Sequence, residues 1–326
     1  MMRQQPILTV NNLNISVSTP LEVAEPVREV SFTLQSGKVL GIVGESGSGK
    51  TLTCMSILSL LTENAKVELG NINFRNQNLL ECSEEDIRKV RGKEIAMIMQ
   101  NPMIAFNPVR TIESHFIETI RTHLPITKRQ AKIMAVEYLE KMDLPNPRTV
   151  LKQYPFQLSG GMLQRVMIAI TMSLNPSILI ADEPTTALDA TNQLQVLQQL
   201  DKLKKEYNTG ILLVSHDLRV VAQLADEVAV MYGGYIVEQA PVLELYNHPK
   251  HPYTRVLFES RFGLTRKKIQ NESPSSTNSI NKENKCPYLD RCEDADHTCT
   301  NYNLEFVEFE KNHLVRCVKV LESIGN

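Results

Sequence analysis

Long apolar runs and a strong net charge are both missing from this 326-residue chain, and no export leader is expected. No stretch approaches the ~18 consecutive apolar residues of a membrane-spanning helix, so no transmembrane segment is expected. Lys and Arg number 35 against 37 Asp and Glu, a formal charge of −2, which offers no general surface for nucleic acid. The opening Met-Met-Arg-Gln-Gln-Pro lacks the apolar core of a secretory signal, so the chain is expected to stay in the cytoplasm. Cysteine is sparse, at six. In a reducing compartment those residues read as metal ligands or buried thiols rather than disulfides. Closely spaced C-x2-C pairs, usual in zinc ribbons, are absent.

What is present fits a folded protein with one large domain plus an appendage, or two domains; 42% of residues are apolar. The most specific stretch is Gly44-Glu45-Ser46-Gly47-Ser48-Gly49-Lys50-Thr51. It fits the phosphate-binding pattern G-x-x-x-x-G-K-[ST] at every fixed position. A strand-like run (Val39, Leu40, Ile42, Val43) precedes it and a helix-like run (Leu52 to Leu61) follows. Glycines let successive backbone N–H groups turn toward phosphate oxygens, and the helix aims its positive end at the same anion. Lys50 is expected to reach the β- and γ-phosphates, and the Thr51 hydroxyl to ligate Mg²⁺.

Strand-like alternation appears at 7–17 and 27–34, and a short buried strand at 95–99 ends at Gln100. From about 111 to 150 the pattern turns helical, with Ile133, Val136, Leu139 and Met142 on one predicted face. Strand–helix alternation resumes with Ile178–Ala181, a helix near 190–206, a strand at Ile211–Ser215 and a helix near 217–224. This order predicts an α/β fold: a parallel sheet flanked by helices, with an antiparallel β edge and a helical insertion. Residues 265–285 are polar and of low complexity and read as a flexible linker. Four cysteines lie beyond it.

The run Ile178-Leu179-Ile180-Ala181 delivers Asp182 and Glu183 to the carboxyl edge of the predicted sheet, where α/β folds bind nucleotides. Asp182 is expected to hold Mg²⁺ and Glu183 to polarise the attacking water. Ser159 in Leu158-Ser159-Gly160-Gly161-Met162-Leu163-Gln164-Arg165 reads as the N-cap of an apolar helix.

Leu-Ser-Gly-Gly also resembles the signature motif of ATP-binding-cassette ATPases. The rest of that set follows in order: Gln100 at the Q-loop position, Ala187-Leu188-Asp189 at the D-loop and His216 at the switch position. The resemblance spans about residues 7 to 258. It implies a P-loop NTPase cassette with a RecA-like core, a helical subdomain at about 103–160, and ATP hydrolysis with Mg²⁺ as cofactor. It further implies that two cassettes close over two ATP molecules. Ser159, Gly160 and Gly161 would then meet the γ-phosphate held by the partner's glycine loop. Gln100 would sense Mg²⁺ and the water, and His216 would orient Glu183. Expected partners are a paralogous cassette or a second copy, two transmembrane permeases and an extracytoplasmic binding protein, with no nucleic acid. The expected location is the cytoplasmic face of the membrane. Many cassettes stack adenine on an aromatic near the end of the first strand. The comparable place here is about Val17, so the base contact is left open.

Asn247-His248-Pro249-Lys250-His251-Pro252-Tyr253-Thr254 resembles the His-Pro-Tyr segment of oligopeptide, dipeptide and nickel permease ATPases. Physically it reads as a turn before a helix, a family marker rather than a site. Met162, in place of the more common Gln, fits the same group. Ile98–Pro102, Ala105–Pro108 and Val150–Phe156 tilt the resemblance toward nickel or a metal chelate over peptide. Cys286, Cys292, Cys299 and Cys317, spaced C-x5-C-x6-C-x17-C, resemble the iron–sulfur extension of dipeptide-permease ATPases, which argues back toward peptide. Four thiolates match the ligand count of a [4Fe–4S] cluster; zinc and free thiols remain the alternatives. The expected division is a cassette at 1–258, a linker at 259–285 and a Cys-rich extension at 286–326. No ATP motif lies beyond His216, so the extension is expected to be dispensable to the nucleotide site.

Overall fold

A computed structural model describes residues 5–186, 188–261, 286–300 and 306–322. The first strands are long and alternate: β1 (Leu8–Ser18) and β2 (Val23–Leu34) bury Leu8, Val10, Leu13, Val27, Val30 and Phe32 and expose much of the rest. Such period-two patterning belongs to a sheet with one wet face. β3 (Val39–Gly44) is buried at every residue, as a central parallel strand covered on both faces must be. It leads into α1 (Lys50–Ile57). β4 (Ala65–Phe74) and β5 (Gln77–Asn78) complete an antiparallel sheet in the order β2-β1-β4-β5. Val17 is half-buried within it, paired with Ala24 and Ala65.

After α2 (Glu84–Val90) and β6 (Ile95–Ile98) comes the helical insertion. It holds α3 (Pro102–Ala105), α4 (Ile112–His123), α5 (Lys128–Lys141) and α6 (Pro147–Val150). Thr111 caps α4, and Thr127 with Gln130 forms a capping box on α5, each satisfying otherwise orphaned amides. The buried face of α5 is Ala131, Ala135, Tyr138 and Leu139, continued by Met142. Ile133, expected on that face, is 53% exposed. The small alanines let α4 and α7 (Gly160–Met172) approach closely, so the contact stripe lies beside the bulky one.

β7 (Ile178–Asp182), α8 (Ala190–Tyr207), β8 (Gly210–Val214) and α9 (Leu218–Leu224) restore the alternation. β9 (Glu227–Tyr232) and β10 (Tyr235–Pro241) then form a tight hairpin, followed by α10 (Val242–Asn247) and α11 (Pro252–Arg261). The expected linker therefore begins too early: residues 259–261 belong to α11, and 262–285 lie outside the described residues.

The extension does not stand apart. β11 (Val307–Glu310) and β12 (His313–Val315) join the main sheet, whose order is β11-β12-β10-β9-β3-β8-β7-β6, and α12 (Val318–Glu322) follows. β6, β7, β8, β3 and β9 are mutually parallel, while β10, β12 and β11 add antiparallel.

Alternation along the parallel strands divides the core in two. Val39, Val43, Leu179, Ala181, Ile211 and Leu213 face α7, α8 and α9. Leu40, Ile42, Ile178, Ile180, Leu212 and Val214 face α1 and the antiparallel sheet. Each such large side chain contributes about 1.5–3 kcal/mol by leaving water. Because both faces are covered, the carboxyl ends of the parallel strands are the natural place for a site.

Candidate functional site

Four strand ends converge there: β3 ends in the Gly44–Thr51 loop, β7 in Asp182, β6 just before Gln100 and β8 just before His216. Gly44 lies against β9, and a Cβ there would sit 2.1 Å from the Met231 carbonyl oxygen. Gly49, at φ +100°, is nearly as confined, with a Cβ placed 2.3 Å from the Pro26 carbonyl oxygen. Both positions exclude a side chain, which holds the loop close to its neighbours. Ser46 and Gly47 form its exposed tip, while Ser48 is buried. Lys50 donates to the carbonyls of Gly44 (3.0 Å) and Glu45 (2.8 Å) and to Ser48 Oγ (3.3 Å). Burial lowers its pKa, against the opposing pull of Glu183 and Asp182.

The Thr51 hydroxyl donates to Asp182 Oδ2 at 3.0 Å. Asp182 Oδ1 is buried and has no hydrogen-bond partner among the described residues. Burial raises the Asp182 pKa by more than the Thr51 bond lowers it, and the neighbouring Glu183 charge adds to the rise. A buried carboxylate oxygen lacking a donor is costly alone and well suited to a hard cation.

Glu183 has a left-handed backbone, φ +48°, and its N–H donates to the Val214 carbonyl at 2.9 Å. Its carboxylate is tied on three sides. Gln100 Nε2 and Thr186 Oγ1 each donate to Oε2 at 2.8 Å, and His216 Nδ1 lies 2.9 Å from Oε1. With a carboxylate as its partner, Nδ1 is assigned the proton. Burial pushes the Glu183 pKa up, but the bonds from His216 and Thr186, with the charges of His216 and Lys50, hold it below the ordinary carboxylate range. The group is thus kept ionised, as a general base requires. Thr186 is a site residue that sequence reasoning missed. Its only signal was its place three residues after Glu183.

Ser159 caps α7 by accepting the Met162 N–H at 3.3 Å. Ser159 and Gly160 are exposed, and the hydrogen bonds of this turn run to its own helix rather than to the Lys50–Glu183 group. Gly161 abuts Asn192, where a Cβ would lie 2.9 Å from the side-chain amide. Asn192 in turn donates to both carboxylate oxygens of Asp189 (2.9 and 2.6 Å). Signature turn and D-loop are therefore packed as one edge. Ala187 of the D-loop lies outside the described residues.

The four distal cysteines meet. Cys286, Cys292, Cys299 and Cys317 line one cavity with His251 and Tyr288, and all four are free thiols. Burial pushes the Cys286 thiol up to about 11. His251 Nδ1 accepts the Tyr253 N–H at 3.1 Å, which leaves the proton on Nε2; that atom is buried and has no hydrogen-bond partner among the described residues. Among the described residues, no three His, Cys, Asp or Glu side chains are gathered so as to hold a single metal ion. Cys54 lies on the buried face of α1, and Cys82 is half-buried in a polar stretch.

Comparison with known proteins adds the following. The family profile described as ABC transporter matches residues 27–186, and that described as Oligopeptide/dipeptide transporter, C-terminal region, matches 237–299. The chain is 40% identical over 300 residues to the Probable D,D-dipeptide transport ATP-binding protein DdpD of Escherichia coli K12, covering 91% of this chain and 92% of that one. It is 44% identical over 257 residues to the glutathione import ATP-binding protein GsiA of the same organism; the match covers 77% of this chain but only 41% of GsiA. Among solved structures, the dimeric ATP-binding cassette MJ0796 in a post-hydrolysis state with ADP and Pi shares the fold. Its TM-score is 0.66 at 24% identity, over 72% of this chain and 98% of that one. No helix among the described residues is long and apolar enough to cross a membrane.

Proposed function

The chain belongs to the ATP-binding-cassette transporter family, in its oligopeptide/dipeptide group, and from that premise we infer that it hydrolyses ATP to drive an importer of short peptides. The observation that carries the catalytic part is Glu183, ionised and held by Gln100, Thr186 and His216 beside the Lys50 loop. Lys50 and the loop amides bind the phosphates. Thr51 and the unpartnered oxygen of Asp182 fit Mg²⁺, which supplies neutralising charge to the phosphates when bound. Glu183 takes the proton of the attacking water, and Gln100 and His216 fix the direction of its carboxylate. Ser159, exposed and capped onto its own helix, serves the nucleotide of a partner cassette, either a paralogue or a second copy. Two permeases and an extracytoplasmic binding protein complete the transporter at the cytoplasmic face of the membrane.

A dipeptide and a glutathione importer among the relatives support a short-peptide cargo; nickel finds no support in these relatives. The test is the reconstituted transporter. Its ATP hydrolysis should rise with binding protein carrying a D,D-dipeptide and not with nickel. Stimulation by nickel alone would overturn the cargo reading, and absence of hydrolysis with either would overturn the catalytic one.

We also assign the four convergent cysteines to a [4Fe–4S] cluster rather than zinc. Four free thiols lining one cavity match the ligand count of such a cluster. His251 Nε2–H, buried and unpartnered, offers a donor for sulfur in that cavity. Such a cluster would cross-link the extension and keep its thiols from disulfides. Anaerobically purified protein should be brown and hold about four irons per chain. Stoichiometric zinc without iron, after growth in iron-replete cells, would reject it.

A further inference from the structure

The His-Pro-Tyr segment does more than shape a turn: it reaches the phosphate loop. Tyr253 is 1% exposed, and its hydroxyl accepts the Glu45 N–H at 3.1 Å, from 208 positions away in the chain. A second arm reaches the same residue from the extension. Arg291, next to Cys292, donates from Nη1 to Glu45 Oε2 at 3.0 Å and from Nη2 to Oε1 at 3.2 Å. Its Nη1 also lies 3.2 Å from the Tyr232 hydroxyl. The guanidinium sits 5.6 Å from the Tyr232 ring centroid and 5.8 Å from that of Tyr288. Tyr232 packs on Tyr253 (4.5 Å) and on Tyr288 (5.1 Å), so one aromatic cluster supports both arms.

The geometry is unlike that of an ordinary surface ion pair, which contributes little. The contact is a two-pronged fork, and both side chains are largely covered, at 28% and 27% exposure. The planar cation is also fixed against rings. Glu45 stands in the loop that receives a triphosphate. Without Arg291 its carboxylate would be an uncompensated charge of the same sign as the ligand, in a partly desolvated place.

We propose that Arg291 and Tyr253 are positioning residues for nucleotide binding: Arg291 neutralises and anchors the Glu45 side chain while Tyr253 fixes the Glu45 amide. The inference rests on residues 44–51 being the phosphate loop. It makes the extension part of the nucleotide site, contrary to the expectation that nothing beyond His216 serves it.

The test uses the full chain, purified anaerobically, with Mg-ATP binding followed by calorimetry. Arg291→Gln should raise the Kd about tenfold, as expected for loss of a charge-assisted fork that leaves a carboxylate unpaired. Adding Glu45→Gln should restore most of that loss, because it removes the unpaired charge. Tyr253→Phe should raise the Kd about threefold, the cost of one neutral hydrogen bond. The Arg291→Gln defect should shrink at high salt. Rescue separates this role from mere support of the extension, since a displaced extension is not restored by changing Glu45. Unchanged affinity in Arg291→Gln, or a double variant no better than the single, would overturn the inference. A wild-type chain that binds no ATP would overturn the phosphate-loop reading and this inference with it.

Discussion

Thr51 and Asp182 are joined by a 3.0 Å hydrogen bond that spans the sheet from the β3 loop to the end of β7, across the intervening β8. The pair links the loop proposed to bind phosphate to the strand that ends at the two carboxylates. Its neighbour Glu183 then lies where Gln100 and His216 can hold it.

Glu183→Gln should abolish turnover while leaving ATP binding intact. The amide cannot take a proton, yet it keeps the shape of the site. The expected loss in the assembled transporter is on the order of 10²–10⁴ in kcat, the usual contribution of a positioned base. Unchanged steady-state hydrolysis at the only competent site would remove Glu183 from the role.

Asp182→Asn should act in opposite directions on stability and function. The folded Asp182 pKa is raised above its ordinary value of 3.8, so the folded state binds the proton more tightly than the unfolded chain. Its ionisation therefore destabilises the nucleotide-free fold, with the penalty growing as pH rises from that ordinary value through the raised one and complete above it. Asn removes the penalty and keeps an acceptor for Thr51. The variant should melt a few degrees higher at neutral pH without nucleotide and lose Mg²⁺-dependent stabilisation by ATP. The two melting temperatures should converge as pH falls below that ordinary value; equal melting temperatures of variant and parent at neutral pH would contradict this.

Ser159→Ala should matter little to the free chain and greatly to the complex. As an exposed N-cap it contributes about 1 kcal/mol to α7. As a γ-phosphate donor to a partner's site it should be worth about 10²–10³ in rate. Loss of hydrolysis without a comparable loss of stability is the expected pattern, read by ATPase assay and thermal melting. A stability loss alone would leave Ser159 as only a cap.

Glu238→Ala should loosen the His-Pro-Tyr segment. The buried Glu238 carboxylate accepts the N–H groups of Lys250 (2.7 Å) and His251 (2.9 Å) and stands 2.8 Å from His313 Nε2 in β12. Truncation leaves three donors without a partner, at about 1–3 kcal/mol for each buried one. Denaturant unfolding should show a fall of several kcal/mol, and Glu238→Gln a smaller one.

Legibility in the sequence followed sequence distance. The phosphate loop, Asp182–Glu183 and the Ser159 turn each occupy one strand–turn or turn–helix unit, so their residue order nearly prescribes their geometry. Thr186 was invisible because a threonine in a turn has many uses, and only the fold shows its hydroxyl on Glu183. β4, β9 and β10 were passed over, although Val228–Tyr232 and Ile236–Ala240 are all buried. A buried run without alternation does not announce its partner. The α5 face was misjudged by favouring bulky Ile133 over small Ala131 and Ala135. Hardest of all was the Arg291–Glu45 pair, separated by 246 positions and belonging to no motif.

The union of β12 with β10 also bears on how the molecule is made. Glu238 and Gln239 pair with Val315 and Leu314. During synthesis every parallel strand leaves the ribosome before the pair that seals this margin. Until residues 307–315 emerge, β10 presents unpaired amides and carbonyls, the kind of rim that invites pairing with another chain. A nascent cassette halted before this point would carry all its ATP motifs and still be prone to clump.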